Sequence, residues 1–318
     1  MNEGIKHLRR RFVKDTDVPI SIIHAPYFGD RLELFEKSHK ALTKYCHLIG
    51  LCDERFGVND GNIKFLEYYN NLKERIISEI SNSSSFKEFQ EDKTILEGYT
   101  PIAPSRKLYT QEQDGGLFVS FDMKKANFQA LRYVNPSIVY DCDTYENFIG
   151  KFTDIDYFKD SKYFRQRVFG ELNPKKTRKV EEELTNAFAL SIKDEMASNK
   201  LTPFAFNGDE IIFKFNGTEE EFKKFKDHDR EFKGVIFKYE KFKLHHRQFM
   251  REVSSSPLDV YEKEVFSDAS KRVLKGVPET YYPQVYKLLN GMEIEPSDLK
   301  FYYEHSICSF DNPIKLVK

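Results

Sequence analysis

The run TPFAFNGDEIIFKF, Thr202 to Phe215, constrains the fold more than any other stretch of the chain. Two strand-like segments flank Asn207-Gly208, a pair suited to tight chain reversal, so an antiparallel hairpin is expected here. Upstream, KLYTQEQDGGLFVSFDM repeats the device: Asp114-Gly115-Gly116 separates two strand-like runs, the second ending at Asp122. Each hairpin therefore brings a carboxylate to a strand end or turn.

Between the hairpins the periodicity is helical. Asn173-Pro174 suits an N-cap and first turn, and Val180, Leu184, Ala187, Phe188, Ser191 and Met196 form one face of a long helix to about Asn199. Thr218 to Lys233 begins TEEEF, with acids at its positive end, and reads as a helix; GVIFKYEKFKLH then alternates as a strand. Asp30–Leu51 and Asn62–Ile80 carry helical spacing upstream, closed by the polar tract Ser81–Ser85. The order predicts an α+β fold, an antiparallel sheet with helices on one face. Three regions are expected: a helical one over 1–104, the sheet region over 105–250 with helices at about 141–199, and a mostly helical one over 251–318 entered through a linker, REVSSSPLD.

Composition limits the function classes. The 318 residues include 50 Lys+Arg and 51 Asp+Glu, a net charge of −1, so a nucleic-acid surface would have to be local. Aromatics at 15% set disorder aside. No run approaches the roughly 18 apolar residues of a membrane span, and the start MNEGIKHLRRRFVKD lacks an apolar leader core, so no membrane association and a cytoplasmic location, or a nuclear one in a eukaryotic host, are expected. The four cysteines have neither disulfide-framework nor zinc spacing and read as reduced thiols.

If the strands ending at Asp122 and Asp209 are neighbours, their carboxylates could converge on two Mg²⁺ (or Mn²⁺) ions about 4 Å apart, the arrangement that activates an attacking oxygen and stabilises a leaving pyrophosphate. Between them lies a local basic run: Lys162, Arg165, Arg167, Lys175, Lys176, Arg178 and Lys179, interrupted only by Glu171. A helix exposing Lys162 and Arg165, one turn apart, would offer cations to a triphosphate; Lys175, Lys176, Arg178 and Lys179, with Lys241 further on, would offer them to a nucleic-acid backbone.

At this point the residues resemble a family. SKYFRQRVFGELNP, with Lys162, then Phe169 seven positions on, then Gly170, resembles the fingers-helix motif of family A and family B DNA polymerases and single-subunit RNA polymerases. FNGDEIIFKF is similar to the third polymerase motif, with Gly208 where the family A form has His, and SFDMKKANFQALR to the first. The motifs stand in family order, and the palm-like segment covers about half the chain. Asp122, Met123, Lys124, Ala126 and Phe128 also imitate a reverse-transcriptase pattern, Asp-hydrophobic-Lys-x-Ala-x-Phe.

The resemblance implies a palm with fingers-like helices at 141–199 and a thumb-like C-terminal region. It implies that Asp122 and Asp209 hold the metals, that Glu210 assists at the metal or the primer terminus, that Lys162 meets the triphosphate, and that Phe169 and Gly170 border the nascent base pair. The first motif departs from the family A and family B patterns after its Asp, so Asn127 and Phe128 compete as the steric gate. Lys241 or Lys238 stands where a palm strand ends in a lysine able to protonate pyrophosphate. The substrates implied are nucleoside triphosphates and a primer-template, with replication or transcription proteins as partners and no proofreading domain in this chain.

Simpler readings stand beside each of these. Asp209-Glu210 could be solvated turn residues, Asp122 an N-cap, the basic run an exposed helix face, Phe169 core, and His245-His246 a surface pair sent to opposite faces of a strand. Two other function classes fit the same motifs: a nucleotide cyclase or non-templated nucleotidyltransferase, and a non-catalytic nucleic-acid-binding or replication assembly factor.

Overall fold

A computed structural model describes residues 3–92, 100–251, 254–266 and 271–317. Helices α1 (Glu3–Thr16), α2 (Tyr27–Leu34), α3 (Glu36–His39), α4 (Ala41–Phe56), α5 (Gly61–Asn82) and α6 (Ser84–Glu91) form the N-terminal region. In α5 the spacing of Phe65, Tyr69, Leu72, Ile76 and Ile80 places all five in the core. The helix expected over Asp30–Leu51 is broken twice. Phe35 packs edge-on to Tyr282 and Tyr286 at 5.6 and 5.4 Å, and Lys40 takes a left-handed φ of 53°, so aromatic packing overrides helical continuity. Nor does Ser81–Ser85 close the helical region, because Ser83 caps α6 by accepting from the Phe86 amide at 3.2 Å.

The sheet region runs β1 (Leu117–Met123), α7 (Ala126–Val134), α8 (Tyr145–Gly150), α9 (Tyr157–Asp160), α10 (Lys162–Phe169), α11 (Pro174–Ser198), β2 (Leu201–Phe206), β3 (Glu210–Phe215), α12 (Glu219–Lys224), β4 (Arg230–Phe232) and β5 (Val235–Arg251). Beyond it come β6 (Ser254–Val265), β7 (Lys271–Lys275), α13 (Tyr282–Leu289), β8 (Lys300–Tyr303), β9 (Ser306–Ser309) and β10 (Lys315–Leu316). Among the described residues the main sheet has eight strands, all antiparallel, in the order β2-β3-β1-β5-β6-β7, with β4 and β10 also on β5. The fold is α+β, as expected.

Both faces of β1 are covered, which is why it reads as an unbroken apolar run. On one face Phe121 meets Phe188 of α11 at 5.4 Å, and Phe188 stacks on Phe237 at 4.0 Å. On the other, Phe118 packs against Phe204 and Phe242 at 5.3 and 5.6 Å, with Leu108 in the same cluster.

Two further expectations fail. The helix over Thr218–Lys233 stops at Lys224, because Lys241, a residue 7% exposed, brings its ammonium onto the carbonyls of Phe222, Lys223 and Phe225 at 3.0, 3.2 and 2.8 Å. The C-terminal region is also not mostly helical: REVSSSPLD joins β5 to β6 with Arg251 paired to Ser254, so the expected linker falls at a hairpin, its residues 252 and 253 lying outside the described set. This region returns to the N-terminal helices through a buried network. Arg31 bonds the Asp298 carboxylate and the Ser297 carbonyl, both at 2.7 Å, and Lys287 meets the other Asp298 oxygen at 2.7 Å. Breaking such a buried pair costs about 3–5 kcal/mol. No helix among the described residues is long and apolar enough to cross a membrane.

Candidate functional site

The hairpin expected across Asp114-Gly115-Gly116 does not form: Gln111–Gln113 is a 3-10 turn rather than a strand, and the Gly115 amide bonds the Leu244 carbonyl of β5 at 2.8 Å, so it is β1 itself that meets the β2–β3 hairpin at one end of the sheet. β1 and β3 pair with Asp122 opposite Glu210, and the Met123 amide donates to the Asp209 carbonyl at 2.8 Å. The turn closes by a bond from the Asn207 amide to the Glu210 carbonyl at 2.9 Å, with Gly208 alone at a left-handed φ of 84°. Asp209 thus sits on the chain reversal, its backbone pinned across from the residue that follows Asp122. β5 places Lys238 opposite Asp122 on the other side.

The electrostatics tie these groups together. Asp122 is accessible to water but set in a recess that strips much of its hydration, and this, with the charges of Asp209 and Glu210, raises its pKa to about 7 against the pull of Lys162 and Lys238. Asp209 is raised by burial, offset by its own amide and by Lys162 and Arg178. Lys162 therefore acts on both aspartates. It is exposed at the first position of α10, whose N-cap, Ser161, accepts from the Phe164 amide at 3.0 Å.

A residue that sequence reasoning passed over completes the group. Glu181 of α11 is 8% exposed; burial and the Asp209 charge raise its pKa to about 7, while Arg178 and a 2.9 Å bond from the Asn127 amide nitrogen lower it. Glu182 and Glu183 follow it, so by sequence it looks like one of a solvated acidic run. The signal was its spacing: Thr177, Val180, Glu181, Leu184 and Phe188 share the buried face of α11.

Other expected site residues are placed elsewhere. The Glu210 carboxyl is enclosed, bonding the Ser120 and Asn207 side chains and facing Lys263, and its charge reaches the partly buried Tyr109; its oxygens are committed within the protein rather than at a primer terminus. Phe169 is 1% exposed in a ring cluster with Phe128, Tyr145 and Phe148, and Phe128 is fully buried, so neither ring can border a base pair or gate a sugar. Of the two gate candidates, only Asn127 is in the group. Gly170 ends α10, where a Cβ would stand 2.5 Å from the Gln166 carbonyl oxygen. Arg165 is half-buried over the Tyr145 ring at 5.5 Å, with Asp122 among the charges acting on it.

The basic run divides. Lys175 is exposed, and Arg178 and Lys179 share Glu182 at 3.0 and 3.3 Å. Lys176 is buried, its ammonium on the carbonyls of Phe89 and Gln90 at the end of α6. Lys176 and Lys241 are helix-end caps, not nucleic-acid contacts, because backbone carbonyls already hold their ammonium groups. His245 and His246 leave their strand in opposite directions, but they are no surface pair: His245 meets Glu264 at 2.8 Å, and the buried His246 meets Asp259 at 2.7 Å.

Among the described residues, no group of three or more His, Cys, Asp and Glu side chains is arranged to hold a metal ion. The pair Asp122 and Asp209 nonetheless has the chemistry a hard divalent cation takes: oxygen donors whose mutual repulsion a cation would relieve, with one or two carboxylates sufficing where phosphate oxygens supply the rest. A crowded carboxylate site beside exposed cations can bind a phosphorylated ligand through metal ions and a lysine together. Comparison with protein families, with curated proteins and with solved structures finds no match for this chain.

Proposed function

We propose that the chain is a template-directed nucleotidyltransferase with a polymerase-like palm, joining a primer 3′-hydroxyl to a nucleoside triphosphate. One observation carries the reading. Asp122 and Asp209 are delivered side by side from paired strands and a turn, with a single exposed lysine, Lys162, acting on both.

In this reading Asp122 and Asp209 hold the divalent ions, which when bound would favour ionisation of the 3′-hydroxyl and offset charge on the departing pyrophosphate. Lys162 orients the triphosphate, and Arg165, one turn further on α10, adds charge behind it. Lys238, opposite Asp122, is the better placed of the two candidate lysines to protonate pyrophosphate, since the Lys241 ammonium is enclosed on three carbonyls.

Incubating the protein with each dNTP and NTP, with and without a primed template, tests this. The reading predicts addition of the nucleotide that the template dictates. A cyclic product, or addition without a template, would replace it with the cyclase or non-templated alternatives, and salt-sensitive binding with no chemistry would leave a binding factor.

A further inference from the structure

We propose that the outer face of α1 is a track for single-stranded nucleic acid leading to Lys162; the proposal rests on the substrate class of the reading above, though its binding test does not depend on catalysis. α1 buries Gly4, Leu8 and Phe12. Lys6, Arg10 and Lys14 each follow one of these by two positions, about 200° around the helix, and so form a row on the opposite side with a rise of roughly 6 Å per step. Arg10 and Lys14 are exposed and neither forms an ion pair among the described residues; Lys6 has only a surface partner, Glu3 at 3.5 Å, which contributes little.

Aromatic rings stand at both ends of the row. At the N-terminal end His24 feels the charges of Lys6, Arg10 and Arg9 and stacks on Tyr302 at 5.0 Å. At the C-terminal end Arg11 and Lys14 lie over Tyr163 at 5.4 and 5.8 Å, and Tyr163 directly follows Lys162. A straight row of cations ended by rings suits a strand whose bases are free to stack, not a closed duplex.

The other approach to Lys162 has the wrong sign. It is a cavity of about 950 Å³ between α4 and the α9–α10 corner, where Asp17, Glu54, Asp154, Asp156 and Asp160 outnumber Lys44, Arg55 and Lys162. A phosphate backbone would be repelled there and drawn to α1.

Fluorescence anisotropy of the full chain with a labelled single strand, and with a duplex of equal length, over a salt series decides the matter. The single strand should bind more tightly than the duplex. The triple variant K6A/R10A/K14A should lose at least about 10-fold in affinity and reduce the slope of log Kd against log salt by about 2. Tyr163→Ala should weaken binding several-fold while leaving that slope unchanged. Thermal unfolding checks that the triple variant is folded, as expected with Arg10 and Lys14 exposed and Lys6 half-buried with one weak surface partner. Equal binding of duplex and single strand, an unchanged slope in the triple variant, or no single-strand binding by the parent chain would overturn the proposal. Tight, slope-sensitive binding without nucleotide addition would leave it standing and remove the catalytic reading instead.

Discussion

The two ends of the main sheet handle acidic residues in opposite ways. Along β5 and β6, away from Asp122, acids meet cations: Glu262 is 3% exposed between Arg247 and Arg272 at 3.4 and 3.2 Å, Glu264 meets His245 and Glu219 meets Lys243. At the other end Asp122, Asp209 and Glu181 crowd together, and among the described residues none has an ion-pair partner within 4.0 Å; their carboxyl pKa values are pushed up. One end is arranged for stability. The other keeps a repulsion that Lys162, Lys238 and Arg178 only partly offset, which makes it the candidate place for a bound ligand.

Glu262→Ala gives the largest expected effect on stability. It removes the buried partner of two arginines that water partly reaches and should cost about 2–3 kcal/mol in urea unfolding; a change near zero would mean that the paired end is not what stabilises the sheet. Lys241→Ala leaves three carbonyls without their donor and should cost about 2 kcal/mol, with little change in the KM for nucleotide. Were Lys241 instead acting on pyrophosphate, turnover would fall and stability would hold.

A buried acid also occurs away from the sheet, its nearby cation Arg11 outweighed by desolvation. Asp15 is 5% exposed, held by the Tyr157 and Tyr69 hydroxyls at 2.6 and 3.2 Å, and burial raises its pKa to about 6. Between about pH 4 and 6 the folded protein keeps this proton while the unfolded chain releases it, so the contribution to stability falls as pH rises, by about 2 kcal/mol. Asp15→Asn should flatten that fall; parallel slopes for parent and variant in this window would show that burial does not hold the proton.

The smallest effect has the opposite sign to the first. In chelator at pH 8, Asp209→Asn should raise stability by about 1 kcal/mol, water access limiting the repulsion it removes. A loss of stability would erase the contrast between the two ends.

How much of this the sequence disclosed follows from where each signal resides. Asp122 and Asp209 were legible because a strand end and an Asn-Gly turn are local features, and the capped start of α11 at Asn173-Pro174 was legible for the same reason. Lys176 and Lys241 were misread because their acceptors are backbone carbonyls at the ends of α6 and α12, which side-chain identity does not reveal. Glu181 was obscured by the acids beside it, although its helical phase pointed inward. The C-terminal region reads as mostly helix, whereas β6 pairs with β5 and β7 with β6, partners set across the sheet that the local sequence does not name.

The most direct test of the central claim is primer extension with Mg²⁺ by the parent chain, Asp122→Asn and Asp209→Asn side by side. The account predicts template-dictated extension by the parent and a loss on the order of 10³-fold in each variant, with both variants folded. Extension by either variant at the parent rate would contradict it.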